Sequence, residues 1–222
     1  MRPPPGWGFG GLHRRSCDTY LQTVSPNLSL VMRAFFAVDL PDSLAQSVAD
    51  AQAPFADASG VNPVDPEQAH VTLKFLGEIG GPDDKTEPPL SDVIAAGERA
   101  VDRAGVAPFE ADIAGLGVFP NREYVSVVWA GIDRGGDELA ALHETLEAET
   151  TALGVDPEEH DFTPHVTLAR VENATGAEAV RDALDAEAPE VGTFAVDEVR
   201  LVESTLTASG PEYAVVERFP LA

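Results

Sequence analysis

The chain of 222 residues has little cysteine and little positive charge. Its one cysteine, Cys17, excludes an intramolecular disulfide and a zinc site built from several cysteines. No apolar run approaches the roughly 18–20 residues that a membrane helix needs, and residues 34–38 predict a short buried strand instead. Fourteen Lys and Arg face 38 Asp and Glu, and only Lys74 and Lys85 are lysines. A protein that coats nucleic acid with a basic surface is therefore disfavoured, and an anionic substrate must be met by a small local cluster of cations.

The net charge of −24 is distributed along the whole chain. An acidic disordered tail is the alternative explanation, but it would concentrate the acids in one segment. Salt screens such self-repulsion, with a Debye length of about 3 Å at 1 M. We therefore interpret the composition as that of a salt-adapted, halophilic cytoplasmic protein. Hydrophobic residues make up 44% of the chain, enough for a sizeable core.

Residues 1–31 differ from the rest of the chain. They hold three arginines and one acid and are rich in Pro and Gly, which is typical of a loop. Arg14 and Arg15 resemble a twin-arginine export signal, but no uninterrupted apolar stretch follows them. We expect residues 1–31 to be a disordered extension, Met32 to open the folded protein, and residues 32–222 to form a single two-lobed domain.

Hydrophobic periodicity and turn residues predict an α+β fold that repeats one order of elements in two halves of about eighty residues each. Pro- and Asp-rich residues 80–90 are expected to form a loop, Ser91 to cap a helix and Gly154 to close one. The predicted helices are 41–53, 91–104, 137–153 and 177–186. The predicted strands are 33–39, 69–78, 109–116, 124–131, 165–171, 194–203 and 213–219.

One tetrapeptide occurs twice, at matching strands of the two halves. His70-Val71-Thr72-Leu73 recurs letter for letter as His165-Val166-Thr167-Leu168. Strand side chains alternate between faces, so each strand presents an imidazole beside a hydroxyl and buries two apolar residues on the other side. Packed about a pseudo-twofold axis, the two pairs would face each other across a cleft. This arrangement suits a phosphate, because one imidazole can take a proton, the other can give one, and both hydroxyls can donate hydrogen bonds.

Each motif residue also has a simpler interpretation. A strand histidine can be a satisfied polar residue, and threonine is a common strand former. The exact repeat favours function for the histidines, and the shared face favours phosphate contact for the threonines. The other histidines, His13, His143 and His160, have no comparable context and are interpreted as structural or solvated.

A metal site is the main alternative use of two opposed histidines. Zinc and iron sites usually add a third ligand, often a carboxylate or another histidine. The positions two and four residues after each histidine hold Thr72, Lys74, Thr167 and Ala169, none of which supplies a carboxylate. We therefore expect neither a metal ion nor another cofactor.

The sequence resembles the 2H phosphoesterase superfamily, whose hallmark is two H-x-T-x motifs on a duplicated fold. More narrowly, it is similar to the RNA 2′,3′-cyclic phosphodiesterase branch, also named 2′-5′ RNA ligase-like proteins. The resemblance runs from Met32 almost to Ala222, and departs from the family at the 31-residue extension and the insert around 80–90. It implies two lobes with antiparallel sheets, related by a pseudo-twofold axis, with the active site in the cleft between them. The supporting segments are 32–41, 70–77, 115–122, 164–170, 204–206 and 210–213.

The resemblance implies hydrolysis of a 2′,3′-cyclic phosphate at an RNA end to a 2′-phosphomonoester, without metal or ATP. We assign His70 as the acid and His165 as the base, although the motifs themselves do not distinguish the two roles. Thr72 and Thr167 would hold the phosphate. Arg170 matches the arginine that the family uses near the substrate.

Further positions are assigned on weaker grounds. Phe35 is expected either to stack on a base or to pack in the core. Arg122 and Lys74 would add positive field, and Lys74 shares the face of His70 if the strand stays regular.

The implied partners are RNA ends that carry a 2′,3′-cyclic phosphate, tRNA halves among them, with no membrane partner and a monomeric protein. The reverse reaction, joining ends through a 2′-5′ linkage, is the alternative activity. A non-catalytic module that binds nucleotides or RNA ends is the alternative function class. Intact histidines in both motifs favour the enzyme, since pure binding would tolerate the loss of either.

Overall fold

The computed structural model describes residues 31–80, 88–186, 189–208 and 210–222. The predicted extension up to residue 30, with His13 and Cys17, lies outside these residues, as does most of the predicted 80–90 loop, with Lys85. In the described residues the helices are α1 (Ala45–Gln52), α2 (Leu90–Ala104), α3 (Gly136–Thr151) and α4 (Ala174–Leu184). The strands are β1 (Met32–Asp39), β2 (Val61–Pro63), β3 (His70–Ile79), β4 (Phe109–Pro120), β5 (Val125–Ile132), β6 (His165–Val171), β7 (Glu190–Val196), β8 (Glu198–Thr207) and β9 (Gly210–Pro220).

The predicted elements are confirmed in kind, with differences at their ends. The first predicted helix begins as a 3-10 turn, Asp42–Leu44, before α1. The Ser91 cap is wrong, because Pro89 occupies the N-cap position without a side-chain bond. The predicted 194–203 strand is two strands, broken at Asp197, and β2 was not predicted.

Helix α2 shows how the apolar spacing sets the packing. Its buried residues recur every three to four positions, which places them on one face of the helix. At Gly97 a Cβ atom would lie 2.8 Å from the Phe219 ring and 2.9 Å from the Phe36 ring. Only glycine allows the helix to approach the sheet this closely. Gly105, in the left-handed region with φ 59°, ends the helix.

The strands form one antiparallel sheet in the order β7-β4-β5-β6-β3-β1-β8-β9, and β2 pairs with β6. The two motif strands, β3 and β6, are therefore central neighbours, paired at Val71 and Val166. In this order each half contributes four strands, its motif strand included, as a pseudo-twofold axis requires. The halves are not continuous in sequence as predicted, however, because β4 joins the second half and the C-terminal β8 and β9 complete the first.

The sheet is strongly curled. In a flat sheet β7 and β8 would lie six strand spacings apart, about 29 Å. Only Asp197 separates them in the chain, so their ends lie within about 8 Å of each other. The curled sheet carries the main core on the face covered by helices, while Phe35, Ala37 and Val202 form a separate small cluster.

None of the described helices combines the length and the apolar character that crossing a bilayer requires.

Candidate active site

The two motif histidines have the same backbone anchor. The Nδ1 atom of His70 lies 2.9 Å from the carbonyl oxygen of Gln68, and that of His165 lies 2.7 Å from the carbonyl oxygen of Thr163. A carbonyl only accepts, so each Nδ1 carries a proton and donates it. In the neutral ring this leaves the Nε2 lone pair available for a proton, and in the charged ring Nε2 becomes a donor. The duplicated sequence thus yields two equivalent acid–base groups.

Each histidine is also packed between two aromatic rings. The His70 ring centroid lies 5.0 Å from that of Phe35 and 5.2 Å from that of Tyr213, the latter edge-on. The His165 ring centroid lies 5.0 Å from Phe119 and 5.9 Å from Trp129. These contacts fix the imidazole planes in addition to the Nδ1 bonds.

Burial lowers the pKa of both histidines below the ordinary value. For His70, the bond to the Gln68 carbonyl and the negative charge of Asp39 oppose this shift. For His165, the bond to the Thr163 carbonyl opposes it, and the charge of His70 lowers the pKa further. The charge of His70 therefore influences the protonation of His165, and burial favours the neutral form of both rings.

The threonines share the face of the histidines, as the strand period predicts. Thr72 and Thr167 are half-buried, whereas Val71, Leu73, Val166 and Leu168 are buried on the opposite face. Among the described residues, neither threonine hydroxyl has a hydrogen-bond partner in the protein. Both hydroxyls can therefore donate to a ligand.

A bulge follows each threonine and changes which residues share the sheet face of the motif histidines. In β3 the register moves from Ala37↔Thr72 to Phe36↔Lys74, so Leu73 is an extra residue. In β6 it moves from Trp129↔Thr167 to Val128↔Ala169, so Leu168 is the extra one. Both residues after each threonine are then buried, and the next residue, Phe75 or Arg170, is exposed.

The carbonyl of each extra residue is bound by a helix side chain. The Leu73 carbonyl accepts from Nδ1 of His143 in α3 at 2.7 Å. The Leu168 carbonyl accepts from Nε2 of Gln52 in α1 at 2.9 Å. The Leu168 carbonyl accepts in addition from the backbone N–H of Val64 at 2.9 Å. A bulge leaves a backbone group without its ladder partner, and the His143 bond satisfies the Leu73 carbonyl. The structural interpretation of His143 agrees with this contact.

The bulge in β3 makes the predicted position of Lys74 wrong. Lys74 lies on the helix side of the sheet and is 1% exposed. Its Nζ atom donates to the Asp156 carbonyl at 2.8 Å and pairs with Glu147 at 2.8 Å and Glu158 at 3.6 Å. Its charge is therefore compensated on the side of the sheet opposite the motif histidines.

Arg122 and Arg170 differ in whether an ion pair compensates their charge. Arg122 forms an ion pair with Asp185 of the segment after α4, so its charge is also compensated. Arg170 is exposed. Burial raises the pKa of Tyr213 above its ordinary value, and the positive charge of Arg170 opposes that shift. Tyr213 also contacts His70. Arg170, which belongs to the second half, therefore acts on a residue that packs against the motif histidine of the first half.

Sequence reasoning missed several residues around the histidines: Asp39, Phe75, Phe119, Trp129 and Tyr213. The signal available for the aromatic ones was their scarcity, since Phe, Trp and Tyr make up 7% of the chain. Phe35 was expected to stack on a base or to pack in the core. It lies beside His70 but is only 4% exposed, and its ring centroid is 6.0 Å from that of Phe75 and 5.4 Å from that of Tyr213.

The part of the chain that the structure describes contains no group of three or more His, Cys, Asp or Glu side chains arranged to hold a metal ion. His160 is exposed in the loop before β6.

Comparisons with known proteins agree with this architecture. A family model described as the 2′-5′ RNA ligase superfamily matches residues 40–207. The RNA 2′,3′-cyclic phosphodiesterase of Methanothermobacter thermautotrophicus is 36% identical over 193 residues, which cover 86% of this chain and 99% of that protein. The protein of the same name from Archaeoglobus fulgidus is 34% identical over 184 residues, covering 82% of this chain and 96% of its own.

Solved structures give the same result for the fold. A crystal structure of a Thermus thermophilus protein superimposes with a TM-score of 0.67 at 33% identity, covering 86% of this chain and 98% of that one. The apo form of E. coli LigT superimposes with a TM-score of 0.66 at 23% identity, with the same coverage of 86% and 98%. The predicted fold is confirmed.

Proposed function

Because the chain belongs to the 2′-5′ RNA ligase superfamily, we propose that it hydrolyses 2′,3′-cyclic phosphate ends of RNA to 2′-phosphomonoesters, with no metal ion or other cofactor. The relatives named for this activity span nearly the whole folded chain. One observation carries the proposal: two His/Thr pairs lie on neighbouring central strands, with the same Nδ1 anchor in each. Such a pair supplies both proton transfers that a cyclic diester needs.

The reaction begins with in-line attack of water on phosphorus, opposite the 3′ oxygen. Nε2 of His165 takes the proton from the water as the new P–O bond forms. The bond between phosphorus and the 3′ oxygen breaks, and Nε2–H of His70 donates its proton to that oxygen. The product carries a 2′-phosphate and a 3′-hydroxyl, and the histidines exchange protons with solvent before the next turnover.

The assignment of acid and base rests on an asymmetry of the two halves. In the strand register Asp39 lies opposite His70, whereas Gly131 lies opposite His165. The carboxylate favours the protonated form of His70. A protonated His70 in turn favours the neutral form of His165. The substrate phosphate adds negative charge to the cleft, which favours protonation of the acid.

Three groups are proposed to hold the phosphate. The hydroxyls of Thr72 and Thr167 donate to its non-bridging oxygens, one from each half of the sheet. Arg170 supplies the positive charge, and it is the exposed cation on the motif face of β6. These donors stabilise the charge that develops on the phosphate oxygens in the transition state.

The base is proposed to stack on the aromatic side of the cleft. Phe75 is 58% exposed and lies against Phe35, which packs in turn on His70. Stacking on a ring tolerates any base, because every base has a π face. We therefore assign the stacking surface to Phe75, with Phe35 as its support.

The test is incubation of the purified protein, with chelator and molar KCl, with a nucleoside 2′,3′-cyclic phosphate, and separation of the product isomers. The 2′-phosphate is expected from the wild-type protein and from the control His160→Ala, and not from His70→Ala or His165→Ala. Formation of the 3′-phosphate, or a requirement for added metal, would contradict the proposal.

The same assay separates the alternatives. A binding module would bind the nucleotide and give no product from either the mononucleotide or a short RNA with a cyclic end. Ligation would use a 5′-hydroxyl of a second RNA in the place of water and give a 2′-5′ linkage. Adding such an RNA to the reaction measures how the cyclic end divides between the two acceptors.

A further inference from the structure

The loop before β6 sets the orientation of His165. It spans residues 152–164, between α3 and β6, and its Thr163 carbonyl accepts the Nδ1 proton of His165 at 2.7 Å. The position of this carbonyl therefore determines the tautomer and the ring plane of the histidine. Whatever holds the loop against the rest of the molecule acts on His165 through this bond.

A buried lysine holds the first part of the loop. Lys74, two residues after Thr72, donates to the Asp156 carbonyl at 2.8 Å and forms ion pairs with Glu147 and Glu158 at 2.8 and 3.6 Å. The backbone N–H of Glu158 donates to Glu147 Oε1 at 2.9 Å. The ammonium group thus joins three elements: β3, α3 and the loop.

A stacked pair holds the last part of the loop. The ring of Phe162, next to Thr163, stacks on His143 with centroids 4.2 Å apart and an interplanar angle of 7°. His143 is itself fixed by its bond to the Leu73 carbonyl. Both ends of the loop are therefore attached to the end of the first motif, one through Lys74, directly after it, and the other through Leu73, its last residue.

Burial of an ammonium group is costly, and an apolar side chain of similar size commonly gives equal or greater stability. The chain has only two lysines, and one of them is 1% exposed at this place. Stability alone does not account for a buried lysine at this position. We propose that Lys74 is a positioning residue, which couples the first motif to the orientation of His165 in the second.

This inference rests on the proposed function for its effect on turnover, but not for its effect on the histidine. The variant Lys74→Met with Glu147→Gln removes the ammonium and leaves no unpaired buried carboxylate. Nitrogen NMR of the imidazoles then reports the tautomer and the titration of His165. His70 is the internal control, because its Nδ1 is anchored on Gln68, outside the loop.

We expect His165 to lose its preference for the Nδ1–H tautomer while His70 keeps it. We expect kcat to fall about ten- to a hundredfold, as for a catalytic group displaced by about 1 Å, with a smaller change in KM. The matched control is Arg99→Met, which breaks the exposed pair of α2 with Glu149 on α3 and leaves the loop contacts intact. It should change neither histidine.

A folded double variant with an unchanged His165 tautomer and titration would overturn the inference, whatever its activity. If the double variant does not fold, Phe162→Leu releases the other end of the loop without unpairing a charge. The same change at His165 is expected in this variant. Its absence would show that the loop does not control His165, and would overturn the inference as well. If the wild-type protein showed no activity, the proposed function would be refuted. The NMR result on the orientation of His165 would still test the inference.

Discussion

Replacement of the motif threonines by valine tests how the two halves share the phosphate. Thr72→Val and Thr167→Val each remove one hydroxyl, and no described residue of the protein uses either hydroxyl as a partner. Neither change leaves a protein group unpaired, so each should alter the free energy of unfolding by less than about 0.5 kcal/mol. Any large effect must then arise in the complex with substrate.

The expected size follows from the charge of the acceptor. A hydrogen bond to a charged group contributes about 1.5–3 kcal/mol, so each variant should lose about 10- to 150-fold in kcat/KM. Because the hydroxyls come from different strands and reach different oxygens, the two losses should add as free energies. The double variant is then expected to lose about 10²- to 10⁴-fold.

The assay is initial-rate hydrolysis of a nucleoside 2′,3′-cyclic phosphate, with thermal unfolding measured on the same samples. Thr72→Ser and Thr167→Ser are the matched controls, because they keep the hydroxyl and remove the methyl group. Wild-type kcat/KM in both valine variants would refute the phosphate contacts. Serine variants as impaired as the valine variants would show that loss of the hydroxyl alone does not account for the effect.

Three further outcomes are expected. Asp39→Asn should lower the pKa of His70, because it removes a nearby negative charge, and should therefore move the alkaline limb of the kcat/KM profile to lower pH. The unfolded chain binds protons at His70 and His165 before the folded chain does, so stability should fall as pH drops below the ordinary histidine value of about 6.5. Denaturant unfolding as a function of pH measures this, and the variant with both histidines replaced by glutamine should lose less stability over that range. Molar KCl should maintain or increase the folded fraction, because it screens the charge of −24, and circular dichroism that showed unfolding on salt addition would contradict salt adaptation.

The sequence predicted the faces of His70 and Thr72 correctly because strand alternation is a local property of the chain. It could not predict the face of Lys74. The bulge at Leu73 arises from pairing with β1, which lies more than thirty residues earlier, and from the His143 bond to the freed carbonyl. Simple alternation would also have placed Arg170 on the helix side, and the family resemblance, not periodicity, identified it.

Long-range pairing also decided the topology. Two sequential halves are the simplest arrangement of a repeated order of elements, yet β8 and β9 complete the first half from the C-terminal end. This assembly places Tyr213 of β9 beside His70, although the two lie far apart in the chain. Proximity of this kind depends on strand order, which hydrophobic periodicity does not encode.

The duplicated sheet supplies two equal histidines, but the proposed reaction needs an acid and a base. The strand register shows where the surroundings of the two histidines differ. Asp39 faces His70 where Gly131 faces His165. Burial lowers the pKa of His70, and the Asp39 carboxylate, which has no counterpart beside His165, opposes that shift. After the equivalent bulges, the first half presents Phe75 and the second presents Arg170, so one side of the cleft is apolar and the other is cationic. In the proposed function a nucleotide binds with its base on Phe75 and its phosphate at Arg170, and this direction determines which histidine meets the leaving oxygen.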